Sequence, residues 1–256
     1  MVLNHQAGIF YKQIGAGKPI VFLHGFLEDH SIWNTIYSPF VNRGFSCILV
    51  DLPCHGLSRF TGDICTMSQM AQTVAILLED LGIKNPFVFG HSMGGYVGLE
   101  LLRILPARLT LVHSNFWADP EEKKRDRNRV IDVVRTNKAR FVNEAIPGLF
   151  ATQNRERFHG EITRLTEFAL KIPASEMIAA TAGMRDRKPS YDLLETTEVN
   201  IIQGDSDTVV TAVKMVDELG KVSVEQHLFT ISNCGHMGFF EQPQDLIMAL
   251  ENLVIG

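Results

Sequence analysis

Three residues of this chain have the types needed for nucleophilic catalysis: Ser92 between glycines, Asp207 after an apolar run, and His236 in a glycine turn. A serine hydroxyl attacks poorly by itself. It needs a base, an acid to orient that base, and donors for the charge that develops on the substrate oxygen. Ser92 stands in Gly90-His91-Ser92-Met93-Gly94-Gly95, a G-x-S-x-G spacing. Small residues two before and two after the serine let neighbouring backbone pass close to a strained turn, with Ser92 at its tip. Asp207 lies in Gly204-Asp205-Ser206-Asp207, where Asp205 is the competing carboxylate, and His236 lies in Asn233-Cys234-Gly235-His236-Met237. In Leu23-His24-Gly25-Phe26 the glycine lets a loop turn back towards the serine. The backbone N–H groups of Phe26 and Met93 then become the pair able to hold an oxyanion.

Such residues must be presented by strand ends, and the apolar runs supply them. Ile20-Val21-Phe22-Leu23, Cys47-Ile48-Leu49-Val50, Phe87-Val88-Phe89, Leu109-Thr110-Leu111-Val112 and Val199-Asn200-Ile201-Ile202 are continuous apolar stretches, as expected of strands buried on both faces. Two further strands are expected around residues 2 to 5 and 9 to 14, and another ends near Ile231. Helical stretches alternate with most of them, which predicts a mostly parallel sheet of about eight strands with helices on both faces. The best-marked helix begins with a capping box, Thr66 with Gln69, carries Met70, Val74, Leu77, Leu78 and Leu81 on one face, and stops at Gly82. The last helix opens at Pro243 and carries Leu246, Ile247, Leu250 and Val254 at helical spacing.

About eighty residues without a convincing strand separate His113 from Val199, too many for an ordinary crossover. They predict an inserted helical cap over residues 115–191, with residues 1–114 and 192–256 forming the core domain. The charged start of the insert, Glu121 to Arg127, reads as a solvated helix face, with Phe141 to Phe150 and Asn154 to Leu170 as later helical pieces. No long amphipathic lid stands out. Phe116, Trp117, Phe141, Leu149, Phe150 and Met177 are candidates for an acyl pocket, with His24 and Met237 from the core.

Of the 256 residues, 45% are apolar, enough for a substantial core, and the formal net charge is −5 without long acidic blocks. That gives no footprint for nucleic acid or an anionic membrane. Four scattered cysteines, Cys47, Cys54, Cys65 and Cys234, contain no C-x-x-C pair, so neither a disulfide framework nor a zinc site of usual spacing is expected. With no leader-like N-terminal stretch, the expectation is a cytoplasmic monomer or homodimer.

Four segments together carry a resemblance: FLHGF at 22–26, DLPCHGLS at 51–58, GHSMGG at 90–95 and CGHMGFFEQP at 234–243. On these the chain resembles the α/β-hydrolase superfamily, whose chain order of serine, acid and histidine it follows. The resemblance implies that Ser92 is the nucleophile, His236 the base, Asp207 the acid, and the insert a cap, with no metal and no organic cofactor. Some similar proteins place the acid after the earlier strand, which here implicates Asp119. One departure is Cys54, where the pattern usually has glycine. His24, His55 and His91 flank the site and are expected to satisfy loop backbone. Cys234 is expected to be buried packing. The expected activity is hydrolysis of small soluble carboxylic esters through an acyl-enzyme. Hydrolysis of C–C bonds, thioesters or lactones and acyl transfer are the alternatives of the same fold. A small-molecule sensor with slow or no turnover is the alternative of another class.

Overall fold

Strands buried on both faces need no polar alternation, and the apolar runs fold accordingly. The computed structural model describes residues 2–255. Its strands are β1 (Val2–Asn4), β2 (Ile9–Ile14), β3 (Lys18–Leu23), β4 (Phe45–Val50), β5 (Phe87–His91), β6 (Arg108–Val112), β7 (Asn200–Gly204) and β8 (Leu228–Ile231). They form one sheet in the order β1-β2-β4-β3-β5-β6-β7-β8. β1 runs antiparallel to β2 and β2 antiparallel to β4, while every later neighbour is parallel. The period of two splits each central strand between two cores: Val21, Leu23, Ile48 and Val50 enter one, and Ile20, Phe22, Cys47 and Leu49 the other.

Helices α1 (Tyr37–Asn42), α2 (Met67–Asp80) and α3 (Met93–Leu102) connect β3 through β6. The capping box of α2 forms as expected: Thr66 Oγ1 accepts from Gln69 N–H at 3.1 Å, and Gln69 Oε1 accepts from Thr66 N–H at 2.9 Å. Between β6 and β7 lie α4 (Glu121–Gly148), α5 (His159–Ala169), α6 (Ala174–Arg185) and α7 (Tyr191–Leu194). α8 (Ala212–Leu219) follows β7, and α9 (Gly238–Glu241) and α10 (Pro243–Ile255) complete the chain's described elements.

The insert differs from the sequence expectation in one respect. Its charged beginning and its Phe141 piece belong to one 28-residue helix, α4, interrupted at Asn137 by extended backbone (φ −153°). The Asn137 side chain accepts from Arg140 N–H at 3.0 Å and so caps the second half. Ile131, Val134, Val142 and Ile146 form its buried face. A long helix with one apolar face therefore does lie over the core, built from two short amphipathic halves. Among the described residues, no helix is long and apolar enough to cross a membrane.

Candidate active site

The turn from β5 into α3 holds Ser92 at φ 49°, ψ −115°, a backbone conformation that side-chain-bearing residues rarely adopt. It is secured from both sides. Ser92 N–H donates to Val112 O at 3.0 Å, and Ser92 O accepts from Gly95 N–H and from Ser114 Oγ. A Cβ at Gly90 would sit 2.6 Å from Gly94 O, so glycine is required there by the closeness of the passing chain.

Asp207, after β7, is buried, and its carboxylate is fully engaged. Oδ1 accepts from Val209 and Val210 N–H at 2.8 and 2.9 Å, while Oδ2 lies 2.8 Å from His236 Nδ1. Burial by itself would raise the Asp207 pKa, but His236 and His113 beside it hold the carboxyl well below its usual range. His236 is pushed the other way. Its burial favours the neutral ring, yet the Asp207 carboxylate outweighs this and raises the pKa above the ordinary value. Asp205 faces solvent and spends its carboxylate on Ser206 Oγ and Cys234 N–H. Asp119 is held by Arg127 at 3.1 Å and Arg187 at 2.9 Å. Of the three carboxylates weighed from the sequence, the geometry brings Asp207 to His236.

The flanking histidines organise loops. His24 Nε2 accepts from Leu52 N–H at 3.0 Å, so its proton is on Nδ1, which donates to Gly25 O at 2.7 Å. Burial lowers the His24 pKa and keeps this neutral form. Because the Gly25–Phe26 peptide is trans, anchoring its carbonyl to His24 turns the Phe26 N–H the opposite way. Neither Phe26 nor Met93 N–H donates to an acceptor among the described residues. His55 Nδ1 lies 3.1 Å from Pro53 O. Cys54 has φ 74°, which accounts for a position where glycine is usual. Asp51 of the same segment accepts from His30 N–H, the His30 ring and Leu57 N–H. Donor atoms of Asp29, His30 and Asp51 lie within 4.8 Å of one another, but these bonds already occupy both Asp51 oxygens. Cys234 is buried, and its burial raises the thiol pKa.

Ser92 and His236 open onto one cavity of about 220 Å³, also lined by Phe26, Glu28, Tyr96, Val130, Phe141 and Leu149. Its polar end holds Lys123, Asp126 and Arg127 and is shared with an adjoining recess lined by Trp117, Thr211 and Lys214. Of the expected pocket residues, Phe141 and Leu149 face the cavity and Trp117 faces the recess. The others point elsewhere. His24 is buried in the loop just described, and Phe116 packs on Trp117 and Tyr191. Phe150 is stacked between Phe158 and Phe240, and Met237 and Met177 are enclosed in the core. Tyr96, Val130 and Val209 escaped sequence reasoning. Tyr96 alone carried a signal, four residues after Ser92 and so on the same helical face.

Two buried acids were also missed. Glu241 accepts from Gly235 N–H (3.0 Å), Met237 N–H (3.2 Å), Ala151 N–H (3.0 Å) and Asn154 Nδ2 (2.8 Å), tying the His236 loop to the insert. Glu28 accepts from Gly25 N–H at 2.6 Å and lies 3.0 Å from His91 Nδ1.

Known proteins are similar to this chain in sequence and fold. The dihydrolipoyllysine-residue acetyltransferase component of the acetoin cleaving system of Cupriavidus necator is 36% identical over 105 residues, 40% of this chain and 27% of that protein. The 2-hydroxy-6-oxononadienedioate/2-hydroxy-6-oxononatrienedioate hydrolase of Paraburkholderia phymatum is 33% identical over 108 residues, 40% of this chain and 37% of the relative. These two matches thus span well under half of either relative. Among solved structures, a thermophilic esterase from Thermogutta terrifontis superposes with a TM-score of 0.88 at 26% identity, covering 96% of this chain and 93% of that one. A family model for the alpha/beta hydrolase family matches residues 20–249, from β3 into α10. The chain belongs to the alpha/beta hydrolase family.

Proposed function

We propose that the protein is a serine hydrolase of small carboxylic esters, working through an acyl-enzyme. The observation that carries this reading is the shared cavity of Ser92 and His236, with His236 Nδ1 held 2.8 Å from the buried Asp207 carboxylate. Ser92 Oγ attacks the ester carbonyl as its proton passes to His236 Nε2. The N–H groups of Phe26 and Met93 receive the oxyanion. Collapse expels the alcohol, which takes the proton from His236. Water, deprotonated by His236, then attacks the acyl carbon, and the acid leaves as His236 returns that proton to Ser92 Oγ. Asp207 keeps the ring tautomer with Nδ1–H and stabilises the imidazolium formed at each step.

A cavity of about 220 Å³ with mainly apolar walls lies below the roughly 300–1,000 Å³ of sites for drug-sized ligands. It supports a short acyl chain and a small substrate. The esterase likeness, with 26% identity over nearly the whole chain, supports ester hydrolysis over acyl transfer. The four cysteines are unpaired and buried, which supports a reducing, cytoplasmic setting. The test is a p-nitrophenyl ester series from acetate to decanoate on the parent and Ser92→Ala. Turnover of short chains that disappears in the variant is expected. Equal rates in the two proteins would remove the assignment.

A further inference from the structure

The glycine of Leu23-His24-Gly25 has a cause beyond loop turning. A Cβ there would lie 2.8 Å from both Glu28 Oε2 and His91 Nδ1. A carboxylate and an imidazole occupy the space that a side chain would fill. Both are almost fully enclosed: Glu28 is 1% exposed and His91 0%.

Their hydrogen bonds reach the oxyanion loop, the Ser92 turn and the base loop. Gly25 N–H, one peptide before the oxyanion donor Phe26, donates to Glu28 Oε2 at 2.6 Å. Glu28 Oε2 meets His91 Nδ1 at 3.0 Å, and His91 is the residue immediately before Ser92. His91 Nε2 reaches the backbone carbonyl of His236 at 3.0 Å. A carbonyl only accepts, so His91 Nε2 carries a proton. One proton remains between Nδ1 and the carboxyl. Glu28 already accepts a backbone N–H, which favours its ionised form. Burial raises the Glu28 pKa, but His91 alongside brings it below the ordinary value. That shared proton closes the contact between His91 Nδ1 and Glu28 Oε2.

We propose that Glu28 and His91 are positioning residues, a buried, hydrogen-bonded carboxyl–imidazole pair that locks the oxyanion loop and the base loop to the two sides of the Ser92 turn. The inference rests on the ester-hydrolase reading given above. His91 lies outside the cavity, and Glu28, at its wall, spends Oε2 on Gly25 N–H and His91 Nδ1. Glu28 sets the peptide plane before Phe26, and His91 holds the His236 backbone, so that donor and base face the same serine. The other titratable groups around the pair are His24 beside Glu28, His113 with its ring 6.1 Å from that of His91, and the His236 ring at 5.0 Å. Trp33 and Phe239 close the remaining side of His91 and keep water from it.

Imidazole nitrogen NMR of the parent protein at pH 7 reads the pair directly. A protonated His91 Nε2 and an Nδ1 shifted by a hydrogen bond are the expected result. An unprotonated Nε2, or an Nδ1 free of any hydrogen bond, overturns the pair, and this readout needs no variant to fold. The kinetic test uses Glu28→Gln, which keeps shape and the acceptor for Gly25 but removes the charge. A fall in kcat of roughly 10- to 100-fold with little change in KM is expected, the size of a misplacement effect. His91→Asn should lose a similar factor, and the double variant no more than either single one, because all three break one chain of bonds. Losses that multiply in the double variant, or an unchanged kcat in Glu28→Gln, overturn the proposal. If Ser92→Ala retained turnover, the hydrolase reading would fail, while the nitrogen spectrum would still decide whether the pair exists.

Discussion

The cavity has a floor and a roof built on different physical terms. The floor, at the ends of β3, β5, β7 and β8, is held by directional bonds to buried groups. Asp207 has two backbone donors and His236, Glu241 has four donors, and His91 bridges Glu28 to the His236 carbonyl. The roof is α4, which reaches the cavity through Val130, Phe141 and Ala145, with Lys123, Asp126 and Arg127 at its polar end. The other side of α4 carries exposed ion pairs such as Arg135–Asp132 and Arg140–Glu144. Directional bonds fix position to fractions of an ångström, as proton transfer demands. Apolar packing fixes volume but tolerates substitution. On the proposed reading, the floor sets the chemistry and the roof the substrate size.

That division is open to attack at several points. The largest expected effect is at the floor. Asp207→Asn keeps the shape but offers His236 the wrong partner, and should lower kcat by about 10⁴-fold with the fold intact by circular dichroism. Glu241→Ala leaves three backbone donors near the base loop unpaired, those of Ala151, Gly235 and Met237. It should cost about 3 kcal/mol of stability, readable by chemical denaturation, and lower kcat as well. At the roof, Phe141→Ala should instead shift relative kcat/KM by roughly 10-fold towards longer acyl chains, leaving kcat for the best substrate near that of the parent. A large loss of kcat at Phe141 would erase the distinction between the walls. The pH profile sharpens it further. His236 must be neutral to act as base, and its pKa is raised by Asp207. The acid limb of kcat/KM should therefore have its midpoint above the ordinary imidazole value of about 6.5, activity rising with pH through it. The smallest effect is on the solvent side of α4: Arg140→Ala should change stability by less than about 0.5 kcal/mol and leave kinetics unchanged.

The two walls also differed in how far the sequence revealed them. Apolar runs flanked by glycine announce buried parallel strands, and the residues just beyond them fall at the sheet's carboxyl edge whatever the details of packing. Ser92, Asp207 and His236 were legible for that reason. The roof was not, because hydrophobicity says that a side chain is buried without saying against what. Phe116, Phe150 and Met237 are as apolar as Phe141, yet they face the protein core. α4 read as separate pieces because Asn137, a residue that usually marks an end, caps the next turn and lets the helix resume. Neither Glu28 nor Glu241 was given a role from the sequence, although Glu241 lies in the CGHMGFFEQP segment. Their burial depends on donors far away in sequence, Glu241 on Ala151 and Glu28 on His91, and no local pattern encodes such a pairing.

The most direct measurement of the central claim is active-site labelling with a fluorophosphonate, followed by peptide mass mapping and a turnover assay on the same sample. One adduct per chain, mapped to the peptide at Ser92, with ester turnover falling in proportion to labelling, is the predicted result. Full labelling at Ser92 with turnover undiminished, or an adduct on another residue that abolishes it, would contradict the account.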